Sequence, residues 1–290
     1  MIYFNMVSYH GKRYPSSIPL HLEEIAGHFD VKALCPKLPY SLHTEYSYGA
    51  RAFSSPLLYK YPELVWANRN GIPQLWKNKI WAKSFAQFIL DFTSGLPAPK
   101  VIEIHPPFND YVGSVKEFID IYMVFEDIIK SRYSKTDIHL ENRCGSRYSD
   151  GLFLISTLPQ IKELCGYIAG ANLSLRIALD IPQLYTAHQV SPKRHSGITA
   201  LLNESHEIRP YIGGVHIWGK ALSKNRRLAH VGDLNSYFNN NMVFKKEFLH
   251  ALSQLFDDDH VRNLVLEVNS QNEDLLSIIN DLNSAGFTYL

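Results

Sequence analysis

The sequence predicts an α/β fold, a closed TIM (β/α)8 barrel, from three observations. Short apolar runs recur along the chain, polar residues end most of them, and helix-like segments lie between them. Runs that are apolar throughout, unlike alternating ones, are typical of strands buried on both faces of a parallel sheet. Eight such runs in 290 residues fit a closed barrel better than an open sheet. We therefore expect residues 1–290 to form a single TIM-barrel domain.

Six of the apolar runs are clear strand candidates, and two are weaker. The clear runs are residues 2–8, 100–106, 137–142, 175–181, 213–219 and 263–269, and the weaker ones are residues 30–36 and 40–46. Only a few residues separate the two weaker runs, whereas parallel neighbours need a long crossover connection. The assignment of one of these two strands is therefore open.

Five segments carry apolar residues at positions i, i+3 and i+4, the spacing of one helix face. They are residues 17–29, 78–95, 114–132, 157–170 and 244–258. Several begin at Ser, Thr or Asn, which cap helix N-termini. Residues 47–77 are rich in Tyr, Pro, Trp and Asn and are too long for an ordinary connection between a strand and its helix. We expect an insertion there that covers part of the barrel mouth.

Charge, cysteine usage and hydropathy exclude several classes of protein. A formal net charge of +1 gives no general attraction to polyanions, so contact with nucleic acid would need a local basic patch. The three cysteines show no CxxC spacing, which favours buried thiols over a disulfide framework. The N-terminus lacks the pattern of a secretion signal, and no apolar run approaches the roughly 18 residues of a membrane span. We expect a soluble, cytoplasmic protein with no membrane contact.

Imidazoles and carboxylates stand at the ends of the predicted strands. They are His43, His105, Glu141, Asp180, His216 and Glu267. The carboxyl ends of the strands carry the chemistry in barrels of this kind. These side chains supply the nitrogen and oxygen ligands that zinc, iron and manganese accept. We predict a divalent metal centre, because the charge of Glu141 at the end of an apolar strand would be costly without a cation or hydrogen-bonding partner.

Each of these residues also has an ordinary structural explanation. A single histidine at a strand end, such as His105, is commonly hydrogen-bonded within the core. Asp180 or Glu267 could cap the following helix or pair with an arginine. Six such coincidences at the same end of successive units are harder to accept than one metal centre, which is why the metal interpretation is preferred.

Five segments, in order, resemble a known family. They are IHPPFND, IHLENRCG, ALDIPQLYTAH, GGVHIWGK and LVLEVNS. The resemblance is to the xylose-isomerase-like barrels, and within them most of all to the endonuclease IV group of apurinic/apyrimidinic endonucleases. It covers residues 100–270 well and residues 1–50 weakly. It implies a zinc cluster at the barrel mouth in which Glu141 bridges two sites, with His43 and His105 completing the first. The second site would then be completed by Asp180, His216 and Glu267.

This chain departs from the family at the third metal ion. Gln183 stands where the family has a histidine, and Leu228 stands where it has the aspartate of an Asp-x-His pair, of which His230 remains. His188 and Asp233 are the other candidate substitutes for the missing ligands. One or two ions are therefore expected, with zinc preferred and manganese or iron as alternatives.

The resemblance implies a metal-dependent hydrolase that cleaves a phosphodiester. It also implies abasic DNA as the substrate and DNA repair as the process. Glu141, Glu267 and Lys220 would be its catalytic residues. Other basic residues near the strand ends that could steer a phosphate are Arg143, Arg147, Lys193 and Arg194. Among these basic residues, only Lys220 lies close to a position where the family also carries a lysine.

Two other functions remain open from the sequence. In a sugar isomerase or epimerase one divalent ion would bind to Glu141, Asp180, His216 and Glu267, while His43 and His105 would contact the sugar. The two enzyme classes differ in whether those early histidines bind metal. A non-catalytic barrel would use the aromatic segment 47–77 as a partner surface.

Overall fold

The computed structural model describes residues 2–47, 49–50, 52–148, 151–190, 197–223 and 226–290. The strands in these ranges are β1 Ile2–Ser8, β2 Leu22–Gly27, β3 Tyr40–Thr44, β4 Val101–Ile104, β5 Asp137–Glu141, β6 Arg147–Tyr148, β7 Gly151–Leu152, β8 Leu175–Asp180, β9 Ile212–Ile217, β10 Lys220–Ser223, β11 Arg226–Ala229, β12 Arg262–Leu266 and β13 Phe287–Tyr289. The α-helices are α1 Lys79–Phe92, α2 Val115–Arg132, α3 Leu158–Ala171, α4 Ile181–Ala187, α5 Ile198–Glu204, α6 Leu234–Tyr237, α7 Met242–Leu255 and α8 Asn272–Ser284. Short 3-10 helices include Pro56–Lys60, Pro62–Val65 and Ser205–Tyr211.

Eight parallel strands close into a barrel. The order around it is β1, β2, β3, β4, β5, β8, β9 and β12, and β12 returns to β1 in a parallel register that runs from Phe4–Arg262 to Val7–Val265. The short strand β13 also pairs with β1, at Ile2–Phe287. Two antiparallel hairpins, β6–β7 and β10–β11, follow the carboxyl ends of β5 and β9. The predicted fold class, a TIM barrel, is confirmed.

Four of the five predicted helices are confirmed, and polar side chains fix where three of them begin. Asn78 accepts a hydrogen bond from the backbone N–H of Trp81 (2.9 Å), which caps α1. Ser114 caps α2 through the N–H of Glu117 (3.1 Å). Gln160 reaches back to the N–H of Thr157 (3.1 Å) at the start of α3. Within the ranges given above, every helix is too short or too polar to cross a bilayer.

The second strand of the barrel was predicted in the wrong place. Residues 22–27 form β2, whereas a helix was expected over 17–29 and a strand over 30–36. Leu22 and Ile25 have the spacing of a helix face, but the sheet requires a strand between β1 and β3. β2 supplies it by pairing with β3 through Ile25–Leu42 and Ala26–His43. The backbone hydrogen bonds of this ladder outweigh the local preference for a helix.

The described residues of the segment 47–77 pack mainly on the outside of the barrel wall. Leu58, Leu64 and Trp76 from this segment are buried in the main apolar core, where the Trp76 ring meets Phe85 of α1 and Phe118 of α2 at 5.6 and 5.3 Å between centroids. The indole N–H of Trp76 donates to the carbonyl of His105 (2.6 Å). The described residues that line the cavity at the mouth come from other segments. Contrary to expectation, the described residues of this insertion do not line the mouth. Trp76 instead supports His105 from the outer side of the wall.

Candidate metal centre

The six residues predicted to bind metal lie together at one rim of the barrel. They are His43 on β3, His105 directly after β4, Glu141 at the end of β5, Asp180 at the end of β8, His216 on β9 and Glu267 directly after β12. None of them is more than 5% exposed. The strands are parallel, so their carboxyl ends bring these side chains to the same mouth. A cavity of about 420 Å³ opens there.

His43, His105 and Glu141 form the tightest group of ligand-type atoms. The Oε2 atom of Glu141 lies 2.8 Å from Nε2 of His105 and 3.6 Å from Nε2 of His43, and the two Nε2 atoms are 3.2 Å apart. Ligands that surround zinc tetrahedrally at 2.0–2.1 Å are separated from one another by roughly 3.3 Å. Two imidazole nitrogens and one carboxylate oxygen at these spacings fit a divalent transition metal in donor type and in separation.

The rings of both histidines are held from behind. Nδ1 of His105 lies 3.2 Å from the carbonyl oxygen of Glu45, and Nδ1 of His43 lies 3.2 Å from Nε2 of His28. Hydrogen bonds to the second ring nitrogen are typical of metal-binding histidines, because they fix the ring and its tautomer. The Nε2 atoms are thereby directed at Glu141.

Asp180, His216 and Glu267 form the other half of the centre. Nδ1 of His216 lies 3.0 Å from Oε1 of Glu267, whose Oε2 lies 2.9 Å from Nδ1 of His230. Ligand-type atoms of Asp180, His216 and Glu141 all lie within 4.8 Å of one another. The indole N–H of Trp218 donates to Asp180 at 3.1 Å. Glu141 thus belongs both to this group and to the group that contains His43 and His105, and each group has the donor types of a metal site.

The residues weighed for a third ion do not come together. The side-chain amide of Gln183 donates to Asp180 (2.7 Å) and to Glu141, and so lies between their carboxylates. His188 accepts the backbone N–H of Leu158 (2.8 Å) at the start of α3. Asp233 caps α6 through the N–H of Ser236 (2.9 Å). His230 is the only one of the three substitutes that reaches the centre.

Comparison with solved structures places the whole chain in one fold. One solved structure, the crystal structure of AsfvAP:AG, is 13% identical, and the match covers 98% of this chain and 98% of that one with a TM-score of 0.59. A xylose isomerase domain protein from Planctomyces limnophilus is 11% identical over 97% and 95% of the two chains, with a TM-score of 0.46. The first of these likenesses shows the fold alone, a closed barrel of eight parallel strands with helices between them. No protein-family model matches it, and no curated protein sequence is detectably similar.

The barrel concentrates negative charge at its mouth and interior. The buried carboxylates there include those of Glu24, Glu45, Glu103, Glu141, Asp180 and Glu267. Burial alone would raise the pKa of Glu141, but Arg143 and the histidines hold it well below its usual range. Burial and the charges of Glu267 and Glu141 raise the pKa of Asp180 to about 7. Burial lowers the pKa of His43, yet its neighbouring carboxylates more than offset this and raise it to about 9. Such a field favours cations.

The sequence analysis missed several titratable residues of the barrel mouth and interior. They include His10, Glu24, His28, Glu103 and His139. Glu103 stands two residues before His105, and side chains two apart on a strand share a face, so its position could have been inferred. Glu24 was hidden by the wrong helix over 17–29. His10 and His28 lie beyond the ends of β1 and β2 and carry no local signal.

The basic residues predicted to steer a phosphate divide into three groups. Lys220 and Arg143 line the cavity, and Arg143 lies 3.4 Å from Glu141 with its guanidinium 5.5 Å from the ring centroid of Tyr46. Arg147 is exposed on β6. Lys193 and Arg194 lie outside the described residues.

Proposed function

We propose that this protein is a metal-dependent hydrolase that cleaves a phosphodiester. The observation that carries the proposal is the convergence of the two Nε2 atoms of His43 and His105 on Oε2 of Glu141. Divalent ions bound there would polarise the phosphate group and lower the pKa of a water molecule. Imidazole-rich donor sets favour zinc over magnesium or calcium.

The chain's own residues would divide the work of the site. His43, His105 and Glu141 would hold the first ion, and Glu141 would also face the second. The ligands proposed for the second ion are Asp180, His216 and Glu267, with His230 beside Glu267. Trp218 fixes the orientation of the Asp180 carboxylate by donating to both of its oxygens (3.1 Å each).

The cavity walls suit a substrate that carries both negative charge and flat rings. Lys220 and Arg143 lie on the wall and would attract a phosphate. Tyr46 and Trp218 add aromatic surface to the same cavity, which would stack against a base. A phosphodiester of a nucleic acid, with abasic DNA as the first candidate, meets both requirements.

The sugar isomerase is less well supported because of His105. That reading assigns His43 and His105 to the sugar, but His105 is 1% exposed. Its two ring nitrogens already face the carbonyl of Glu45 (3.2 Å) and the carboxylate of Glu141 (2.8 Å). No nitrogen of His105 remains to contact a substrate in the cavity.

Metal removal is the direct test of the proposed function. Protein purified without chelators should contain about one or two zinc ions per chain by elemental mass spectrometry and should cleave a duplex that holds one abasic site. Dialysis against a chelator should abolish cleavage, and added zinc should restore it, because the carboxylates and imidazoles bind substrate only through the ions.

Two results would contradict the hydrolase. Interconversion of keto and aldo sugars with the abasic duplex left intact would establish the isomerase. A chain that purifies without metal, stays folded and cleaves neither substrate would favour a binding role for the barrel.

Lys220→Ala should raise KM for the phosphodiester about 10-fold, which corresponds to the loss of one charged contact worth ~1.4 kcal/mol. The reason is that Lys220 lies on the cavity wall. Steady-state kinetics on the abasic duplex measures this effect. Arg147→Ala is the matched control, since Arg147 is exposed and its change should leave KM within about twofold. Equal effects of the two variants would remove Lys220 from the site.

A further inference from the structure

A second cluster of ligand-type side chains lies inside the barrel. Glu24 of β2, Glu103 of β4 and His216 of β9 come from three separate strands, yet their ligand-type atoms all lie within 4.8 Å of one another. They are 0%, 3% and 1% exposed. Glu24 belongs to neither half of the centre at the mouth, whereas Oε1 of Glu103 also lies 3.6 Å from Nε2 of His43. We call these three residues the inner cluster.

The inner cluster contains carboxylate oxygens without hydrogen-bond partners. Among the residues that the structure describes, no donor forms a hydrogen bond with either oxygen of Glu24 or with Oε1 of Glu103. His10 comes within 3.2 Å of Oε1 of Glu24, and His43 within 3.6 Å of Oε1 of Glu103, but neither contact is a hydrogen bond. Burial of a polar group is costly unless a hydrogen bond or an opposite charge meets it. Two neighbouring buried carboxylates with oxygens in this state call for a ligand of positive charge.

We propose that the inner cluster is an additional binding site for a divalent cation, adjacent to the centre at the mouth. Its ligands are the carboxylates of Glu24 and Glu103 and the Nε2 atom of His216. That nitrogen lies 3.1 Å from Oε2 of Glu103, a spacing that suits two ligands of one ion as well as a hydrogen bond. A donor set of one imidazole nitrogen with carboxylate oxygens suits ions such as zinc, manganese and iron.

The two ring nitrogens of His216 connect the inner cluster to the mouth. Nδ1 lies 3.0 Å from Glu267, on the side of the cavity, and Nε2 faces Glu103. The imidazole would thus place an inner ion next to the mouth, with His216 shared between the inner cluster and the centre at the mouth. The proposal of an inner site does not rest on phosphodiester cleavage, because the zinc bound at the inner cluster is measured without any substrate.

A protonated Glu24 is the competing explanation of the same atoms. In that case Glu24 would be a neutral buried acid, and Glu103 would only orient His216, as carboxylates do behind metal-binding histidines. Replacement of Glu24 by Gln separates the two, since Gln imitates the neutral acid in shape and hydrogen bonding but is a poor cation ligand.

Metal stoichiometry of Glu24→Gln tests the proposal. Chelator-stripped protein is titrated with zinc chloride by calorimetry, and bound zinc is then counted by elemental mass spectrometry. We expect Glu24→Gln to bind one ion per chain fewer than the unchanged protein and to show a smaller zinc-dependent rise in Tm. Glu23→Gln is the control, because the neighbouring Glu23 instead accepts the backbone N–H of Leu38 (2.6 Å) and should keep every ion.

A second variant keeps the test decisive if Glu24→Gln folds poorly. Glu103→Gln should lose the same ion as Glu24→Gln. The variant that carries both changes should therefore lose one ion and no more. Full zinc stoichiometry and unchanged affinity in Glu24→Gln would overturn the inner site, and so would the loss of two ions in the double variant. Failure to cleave any phosphodiester, with the inner ion still bound, would contradict the proposed function alone.

Discussion

Glu141→Gln is expected to lower phosphodiester cleavage by more than about 100-fold while the barrel remains folded. Glu141 faces His105 at 2.8 Å and His43 at 3.6 Å, and it is the one carboxylate that both halves of the centre share. Changes to residues behind a metal ligand already cost 10- to 100-fold in affinity or activity, so the loss of the shared ligand should cost more. Turnover of the abasic duplex and bound zinc per chain should fall together.

Glu126→Gln is the matched control for this change. Glu126 is also a buried glutamate, on α2, where it accepts the N–H (2.8 Å) and the hydroxyl (2.9 Å) of Ser174 just before β8 begins. The start of β8 lies at the opposite end of the barrel from Glu141. Glu126→Gln should leave turnover within about twofold, since it keeps an acceptor oxygen and touches no ligand. Near-normal turnover in Glu141→Gln would remove this residue from the mechanism.

The sequence predicts the strand-end residues because their signal is local. In VIEIH, an apolar run buried at all four positions of β4 ends at His105, so the run itself shows where the strand stops. The same holds for Glu141 and Asp180 at the ends of β5 and β8. A parallel barrel then brings such ends together whatever the details of its packing.

Glu24 shows what such local reasoning misses. The segment around it satisfies the spacing of a helix, and only pairing with β1 and β3, which are distant in the chain, makes it a strand. The error over residues 17–29 therefore concealed an interior carboxylate. Unlike Glu103, whose strand is evident from the sequence, Glu24 could be placed in the interior only once the pairing of β2 with its neighbours, such as Ala26–His43, was known.

The two ends of the barrel use charge differently. At the mouth, the buried carboxylates of Glu141, Asp180 and Glu267 lie among imidazoles, a mixed donor set that suits a site for metal. At the other end, Arg262 begins β12 and is 2% exposed, but its charge is fully met. Nη1 and Nη2 each donate to the carboxylate of Asp258 at 2.7 Å, and Nε donates to the carbonyl of Ile212 (3.1 Å). The Arg262–Asp258 pair should therefore govern stability and not chemistry.

Asp258→Ala should lower the free energy of unfolding by about 3 kcal/mol, because it leaves the guanidinium of Arg262 buried and without its counter-charge. Metal binding at the mouth should not change. A loss of this size corresponds to a fall in Tm of roughly 6–12 °C for a chain of this class. Chemical denaturation monitored by circular dichroism measures it. Asp259→Ala is the control, since Asp259 is exposed and its change should stay within about 0.5 kcal/mol.

The same pair should make stability depend on pH in acid. Burial would raise the pKa of Asp258, but its hydrogen bonds from Arg262 hold that pKa below the ordinary value of 3.8. A carboxyl whose pKa is depressed by folding contributes its stabilisation above the ordinary value and loses it as pH falls through the folded pKa. The difference in unfolding free energy between the unchanged protein and Asp258→Ala should therefore be constant near neutral pH and should shrink below about pH 4. A difference that stays constant into strong acid would mean that Asp258 stabilises β12 by packing and not by its charge.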